Sequence, residues 1–163
     1  MPRNRRSRLA LQVAALILVG HAQAQSSGTT IAPQVAPGEV VGRWALIAVL
    51  RNGEDVTRSG ATQGGPVSIY EFKADGTFSI TRGESVLETG TWMANAMVTP
   101  RTLDHARHVD GQPGRLIPGI YEVGGGVLKI CVLPPSESGA RPVKCEAKPE
   151  NRLSIYIMGR ESR

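Results

Sequence analysis

The chain has 163 residues, 40% of them apolar, with 19 Lys+Arg against 14 Asp+Glu. Four of the arginines and none of the acids fall in residues 1–24, so the other 139 residues carry 15 basic against 14 acidic groups. The high isoelectric point thus belongs to the first two dozen residues, which argues against the basic folded surface that nucleic-acid binding requires.

Those first residues have three parts. Arg3, Arg5, Arg6 and Arg8 precede an apolar stretch, Leu9 to Gly20, interrupted by Gln12, and Ala22-Gln23-Ala24 follows. A basic start, an apolar middle and a small-x-small end in this order make a secretory signal peptide, cut after Ala24. The alternative is an uncleaved anchor. The cleavage site argues against it, and the apolar stretch is shorter than the roughly 20 residues of a comfortable span. No Cys follows the stretch, so no lipoprotein is expected. The mature chain is predicted to be periplasmic or secreted, with no stable membrane span after cleavage. Residues 25–39 are small, polar and proline-bearing and read as a flexible linker. Residues 40–163 are one domain, long enough to bury about two thirds of the surface its unfolded chain exposes.

From Val40 the pattern is strands. Val40 to Leu50 is apolar and ends at Asn52-Gly53. Val67 to Lys73 and Thr77 to Thr81 flank Asp75-Gly76, a period-two pattern around a turn dipeptide that marks a hairpin. Arg82-Gly83-Glu84 turns the chain into Val86 to Met93, and Thr102 to Val109 is a weaker strand. Ile117 to Val123 and Val127 to Leu133 flank Gly124-Gly125-Gly126, and Leu153 to Met158 is last. No helical period of ten residues or more occurs. Eight strands joined mostly by short turns predict an all-β fold, an eight-stranded antiparallel up-and-down barrel without free edges. A two-sheet sandwich is the alternative. Cys131 and Cys145, an even pair in an oxidising compartment, predict a disulfide, with Pro134 to Gly139 as the intervening turn. Two free buried thiols are the alternative.

No catalytic constellation stands out. Asp104-His105-Ala106-Arg107-His108 is the sole run of metal-ligand types, and on a strand His105 and His108 face opposite ways. No metal site or cofactor is predicted. Gly-x-Ser-x-Gly is absent, and the histidines beyond residue 24 are these two. Glu71, Glu88 and Glu122 lie in strands and read as outward-facing. Gly64-Gly65 and Gly124 to Gly126 precede no helix and read as turns rather than phosphate loops. The chain is read as not an enzyme.

Gly42-Arg43-Trp44, at the start of the first strand, resembles the first lipocalin signature. That resemblance implies a Trp closing one barrel end with a basic side chain stacked on it, here Arg160. Further segments occur in a matching order: Tyr-Glu-Phe-Lys-Ala-Asp-Gly-Thr-Phe (70–78), Thr-Gly-Thr-Trp (89–92), Leu103-Asp104, Gly-Ile-Tyr-Glu-Val…Leu-Lys-Ile-Cys…Pro-Pro (119–135), Arg141-Pro142, Lys148-Pro149 and Gly-Arg-Glu (159–161). Over about residues 39 to 161 the chain resembles a lipocalin-like domain family of unknown function common in planctomycete proteins. The resemblance implies the barrel and brings no activity. Cys145 departs from its pattern.

A barrel of eight strands is just wide enough for side chains or one small ligand. Tyr70, Phe72, Phe78, Trp92, Ile120, Tyr121 and Tyr156 are the large side chains that could line such a site. The predicted function is binding of a small apolar or amphipathic ligand. The competing reading is a periplasmic interaction or inhibitor module with a solid core, holding an envelope protein through its loops or the 51–66 segment.

Overall fold

A computed structural model describes residues 37–57, 65–134 and 140–162. Residues 1–36, with the predicted signal peptide and most of the linker, lie outside the described residues, as does all but Pro134 of the predicted 134–139 turn. The described residues form nine strands: β1 (Gly42–Arg51), β2 (Glu54–Asp55), β3 (Ser68–Phe72), β4 (Thr77–Arg82), β5 (Ser85–Asn95), β6 (Thr102–Val109), β7 (Gln112–Gly124), β8 (Val127–Val132) and β9 (Ser154–Arg160). Each sequential neighbour from β3 to β9 pairs antiparallel, and β1 pairs with both β3 and β9. Eight strands therefore close into a barrel, and β2 is an extra strand on the end of β1.

The eight predicted strands are all present, with two differences of extent. Asn52 and Gly53 both have positive φ, which suits a two-residue hairpin turn, and the chain folds back as β2 instead of ending there. At Asp110-Gly111 both residues again have positive φ, so β7 starts at Gln112 rather than Ile117. Pro113 hides the first part of this strand in the sequence, because proline weakens a strand reading.

One barrel end is closed. Pro37–Glu39, the last residues of the segment read as linker, enter a turn in which the Val40 amide donates to the Pro37 carbonyl. Val40 and Trp44 are fully buried beneath it. The Trp44 indole N–H donates to the Val40 carbonyl at 2.8 Å. The Arg160 guanidinium lies 4.2 Å from the Trp44 ring centroid and donates to the Glu39 carbonyl at 2.7 Å. The resemblance implied this stacking. Tyr121 donates its hydroxyl to Glu39 at 2.7 Å, and Arg101 pairs with the same carboxylate.

Two apolar clusters flank the barrel wall. The inner one includes Trp44, Phe72, Phe78, Trp92, Leu103 and Met158. The outer one is Ile120, Cys131, Leu153 and Ile155, with Cys145 and Ala147 packed on it. The chain after Ala140 thus covers the outside of β7 to β9, held by the Cys131–Cys145 disulfide, whose Cα atoms are 5.6 Å apart. Arg141 clamps the same segment through both oxygens of Asp104 and the Gly119 carbonyl. On β3 to β5 the outer wall carries Glu71, Thr77, Ser79, Thr81, Thr89 and Thr91, alternating with inward apolar residues, with Met93 as an exposed apolar exception. The hydroxyl and carboxylate side chains on these three strands differ from the apolar band that a membrane-spanning barrel turns to lipid.

Candidate functional site

The strands run so that the loop after β1 and the starts of β3, β5, β7 and β9 meet at the end opposite Trp44. This end is open. A narrow throat of about 80 Å³ lies between Phe72, Phe78, Ile80, Leu103 and Ile130. Above it are Tyr70, Tyr156, His105, Glu88 and Arg107, which line the same throat. Two wider clefts open from this level. One, of about 430 Å³, reaches Arg51, Arg152 and Ser154 past His105, Arg107 and Tyr156. The other, of about 490 Å³, reaches Arg51, Ser68 and Arg82 past Tyr70, Glu88 and Tyr156. Tyr156 lines all three spaces.

Local pattern explains the arrangement. On β5 the alternation that turns Gly90 and Trp92 inwards also turns Glu88 inwards. On β6 the same rule places Leu103, His105 and Arg107 inside and Asp104 outside. Glu88 is therefore not the outward residue its charge suggested. Its side chain is 18% exposed and its carboxylate meets the Arg107 guanidinium at 2.9 Å. Burial still raises the Glu88 carboxyl above its ordinary range, with Arg107 opposing that shift. Phe78 fills the space beside Gly90, where a Cβ would sit 2.4 Å from its ring.

Of the seven side chains predicted to line a site, Tyr70, Phe72, Phe78 and Tyr156 come together at the throat. Tyr70 and Tyr156 are 6.3 Å apart between ring centroids. Burial first, and Tyr156 next, push the Tyr70 phenol above its ordinary range, so it remains a hydrogen-bond donor at neutral pH. Trp92 lies deeper, edge-on to Phe72 at 5.2 Å, with its N–H shared between the Lys73 and Thr77 carbonyls. Tyr121 belongs to the closed end, and Ile120 faces out into the cluster beneath the disulfide. Glu88, His105, Arg107, Arg51 and Arg82 were missed as lining residues. Period two was the available signal, and charge masked it.

His105 stands edge-on to Phe78 at 5.9 Å. Burial, and then Arg107, lower its imidazole from the ordinary 6.5 to about 4, against a smaller opposite pull from Asp104. Asp104 itself points away to Arg141, so these neighbours in sequence share no site. Among the described residues no three His, Cys, Asp or Glu side chains gather as metal ligands. The unfolded chain binds a proton at His105 below about 6.5, and the folded chain only below about 4, so stability from this group is lost as pH falls through that window. The melting temperature is expected to fall between about pH 7 and about pH 4.5, and by less in His105→Gln. Equal pH slopes in thermal melts of the two proteins would contradict this.

Comparison with known proteins finds no matching family model, no matching curated protein and no matching solved structure. The chemistry of the open end must therefore be read from its own residues. It offers an apolar slot, two phenols and an ion pair between half-buried Glu88 and exposed Arg107, beneath a rim of arginines. That set suits non-covalent binding of a molecule with one apolar and one polar end.

Proposed function

We propose that the chain is an exported lipocalin-like protein that binds a small amphipathic ligand, apolar end first, through the open end of its barrel. The observation that carries this reading is the graded interior. Apolar side chains form the throat floor, phenols and His105 stand at mid-depth, and guanidinium groups line the rim. The throat alone is below the roughly 300–1,000 Å³ of usual ligand sites, and each cleft above it falls within that range. The ligand body accordingly rests in the mouth and only a thin stem enters the throat. The throat is smaller than the roughly 150 Å³ cavity known to take up a benzene ring, which favours an aliphatic stem. Export rests on residues 1–24 and agrees with a disulfide, which persists in oxidising compartments. The competing module with a solid core has support at the closed end, where Trp44 and Met158 are fully buried and Trp92 nearly so.

Native mass spectra of protein purified from the periplasm, with a denatured control, test the reading. A bound small molecule lost on unfolding is the expected result. A bare mass, with no uptake of added octanoate, octanol or octylamine, would overturn it and direct the search to protein partners.

A further inference from the structure

We infer that the ligand's polar end is an anion, so that the open end selects aliphatic anions over alcohols or amines of the same length. This rests on the binding reading above and names the ligand class. Among the described residues that line the throat and the two clefts, Arg51, Arg82, Arg107 and Arg152 are the charged cations and Glu88 is the sole carboxylate. Glu54 stands across from Arg51 on β2 but lines none of these spaces, so the excess belongs to the lining itself. A concave site lined by one sign of charge above low-dielectric walls concentrates the opposite sign.

The three arginines that carry the argument are placed differently. Arg51 lines both clefts from the end of β1. Arg82, at the end of β4, donates from Nε to the buried Ser68 hydroxyl at 3.0 Å, which leaves its terminal nitrogens for another acceptor. Arg107 is held by Glu88 at 2.9 Å beside the throat. A guanidinium presents donors in a planar fork that matches a carboxylate, and Tyr70 and Tyr156 add two phenols at the same depth. An aliphatic chain reaching Phe72, Phe78 and Ile130 leaves its head at this level. A primary ammonium there would meet guanidinium groups of its own sign, and an alcohol would gain no charge-assisted bond. Glu88 competes with the ligand for Arg107, so its removal strengthens anion binding instead of weakening it.

Calorimetric titration of the purified full-length product with octanoate, octanol and octylamine tests the inference. Octanoate is expected to bind about tenfold or more tighter than octanol, the worth of one charge-assisted hydrogen bond, with octylamine weakest. Arg51→Gln with Arg82→Gln is expected to remove about tenfold of octanoate affinity and leave octanol affinity unchanged. Glu88→Gln is expected to raise octanoate affinity, and each variant is checked for an unaltered near-ultraviolet dichroism spectrum. Equal binding of octanoate and octanol would overturn the anion inference and leave the cavity reading standing. Binding of none of the three would overturn the cavity reading itself.

Discussion

Replacing Trp44 by alanine is expected to destabilise the protein by about 4 kcal/mol, the range for deleting a large aromatic from a core. The side chain is 0% exposed, and three separate contacts depend on it. Its ring packs in the inner cluster, its N–H satisfies the Val40 carbonyl, and its face carries Arg160. Arg160 in turn donates to the Glu39 and Val41 carbonyls, so the whole 37–41 cap is tied to this indole. Loss of the ring leaves a cavity and an unpaired buried carbonyl together. For a domain of this size the melting temperature should drop by more than about 10 °C. Trp44→Phe keeps most of the ring volume and loses only the N–H bond and part of the stacking. It is expected to cost about 1–2 kcal/mol, which separates the polar contribution from the packing one. Denaturant melts of the two variants give both numbers. A Trp44→Ala loss below about 1 kcal/mol would mean that the cap is not a cooperative part of the barrel.

The barrel was legible wherever one strand face meets water. Thr77 to Thr81 alternates cleanly, and Asp75-Gly76 sets its hairpin, so β3 and β4 were readable to within a residue or so. The rule fails where both faces are covered. Ile120 and Tyr121 are both buried, one outside the wall and one inside, and Ile130, Cys131 and Val132 are buried in succession. A strand sandwiched between the barrel core and the Ala140–Leu153 segment shows a continuous apolar run, and period two cannot say which residue faces which way. Ile120 was counted among pocket residues for its size, and period two could not correct that, although it packs with Cys145 outside the wall. The polar half of the candidate site was obscured by the opposite error. Glu88 and Arg107 have the correct parity to face inwards, and their charges suggested solvent. An inward ion pair is allowed here because the partners meet at 2.9 Å near the open end, where Arg107 stays largely in water. Arg141 gave no hint of its role, because its partner Asp104 lies 37 positions earlier and only the fold brings them together.

Removing the disulfide is expected to cost about 3 kcal/mol, the chain-entropy value for a closed loop of about 15 residues. The cysteines are 14 positions apart, and Cys131 is fully buried under the outer cluster. A Cys131→Ala, Cys145→Ala double variant should melt lower than the parent, and added reductant should lower the parent towards the variant without moving the variant. The damage should also be local. Arg141 still grips Asp104 and Gly119, so the start of the covering segment stays attached while its far part, around Ala147 and Leu153, loosens from Ile120 and Ile155. Amide hydrogen exchange should therefore accelerate in 145–153 and in β9 far more than in β3 to β5, which the segment does not touch. Thiol titration of denatured, unreduced protein from the periplasm provides the independent check. No reactive thiol is expected before reduction and two after it. Two free thiols at the outset would show that the outer cluster holds the segment unaided, and would also remove the support that the disulfide lends to export.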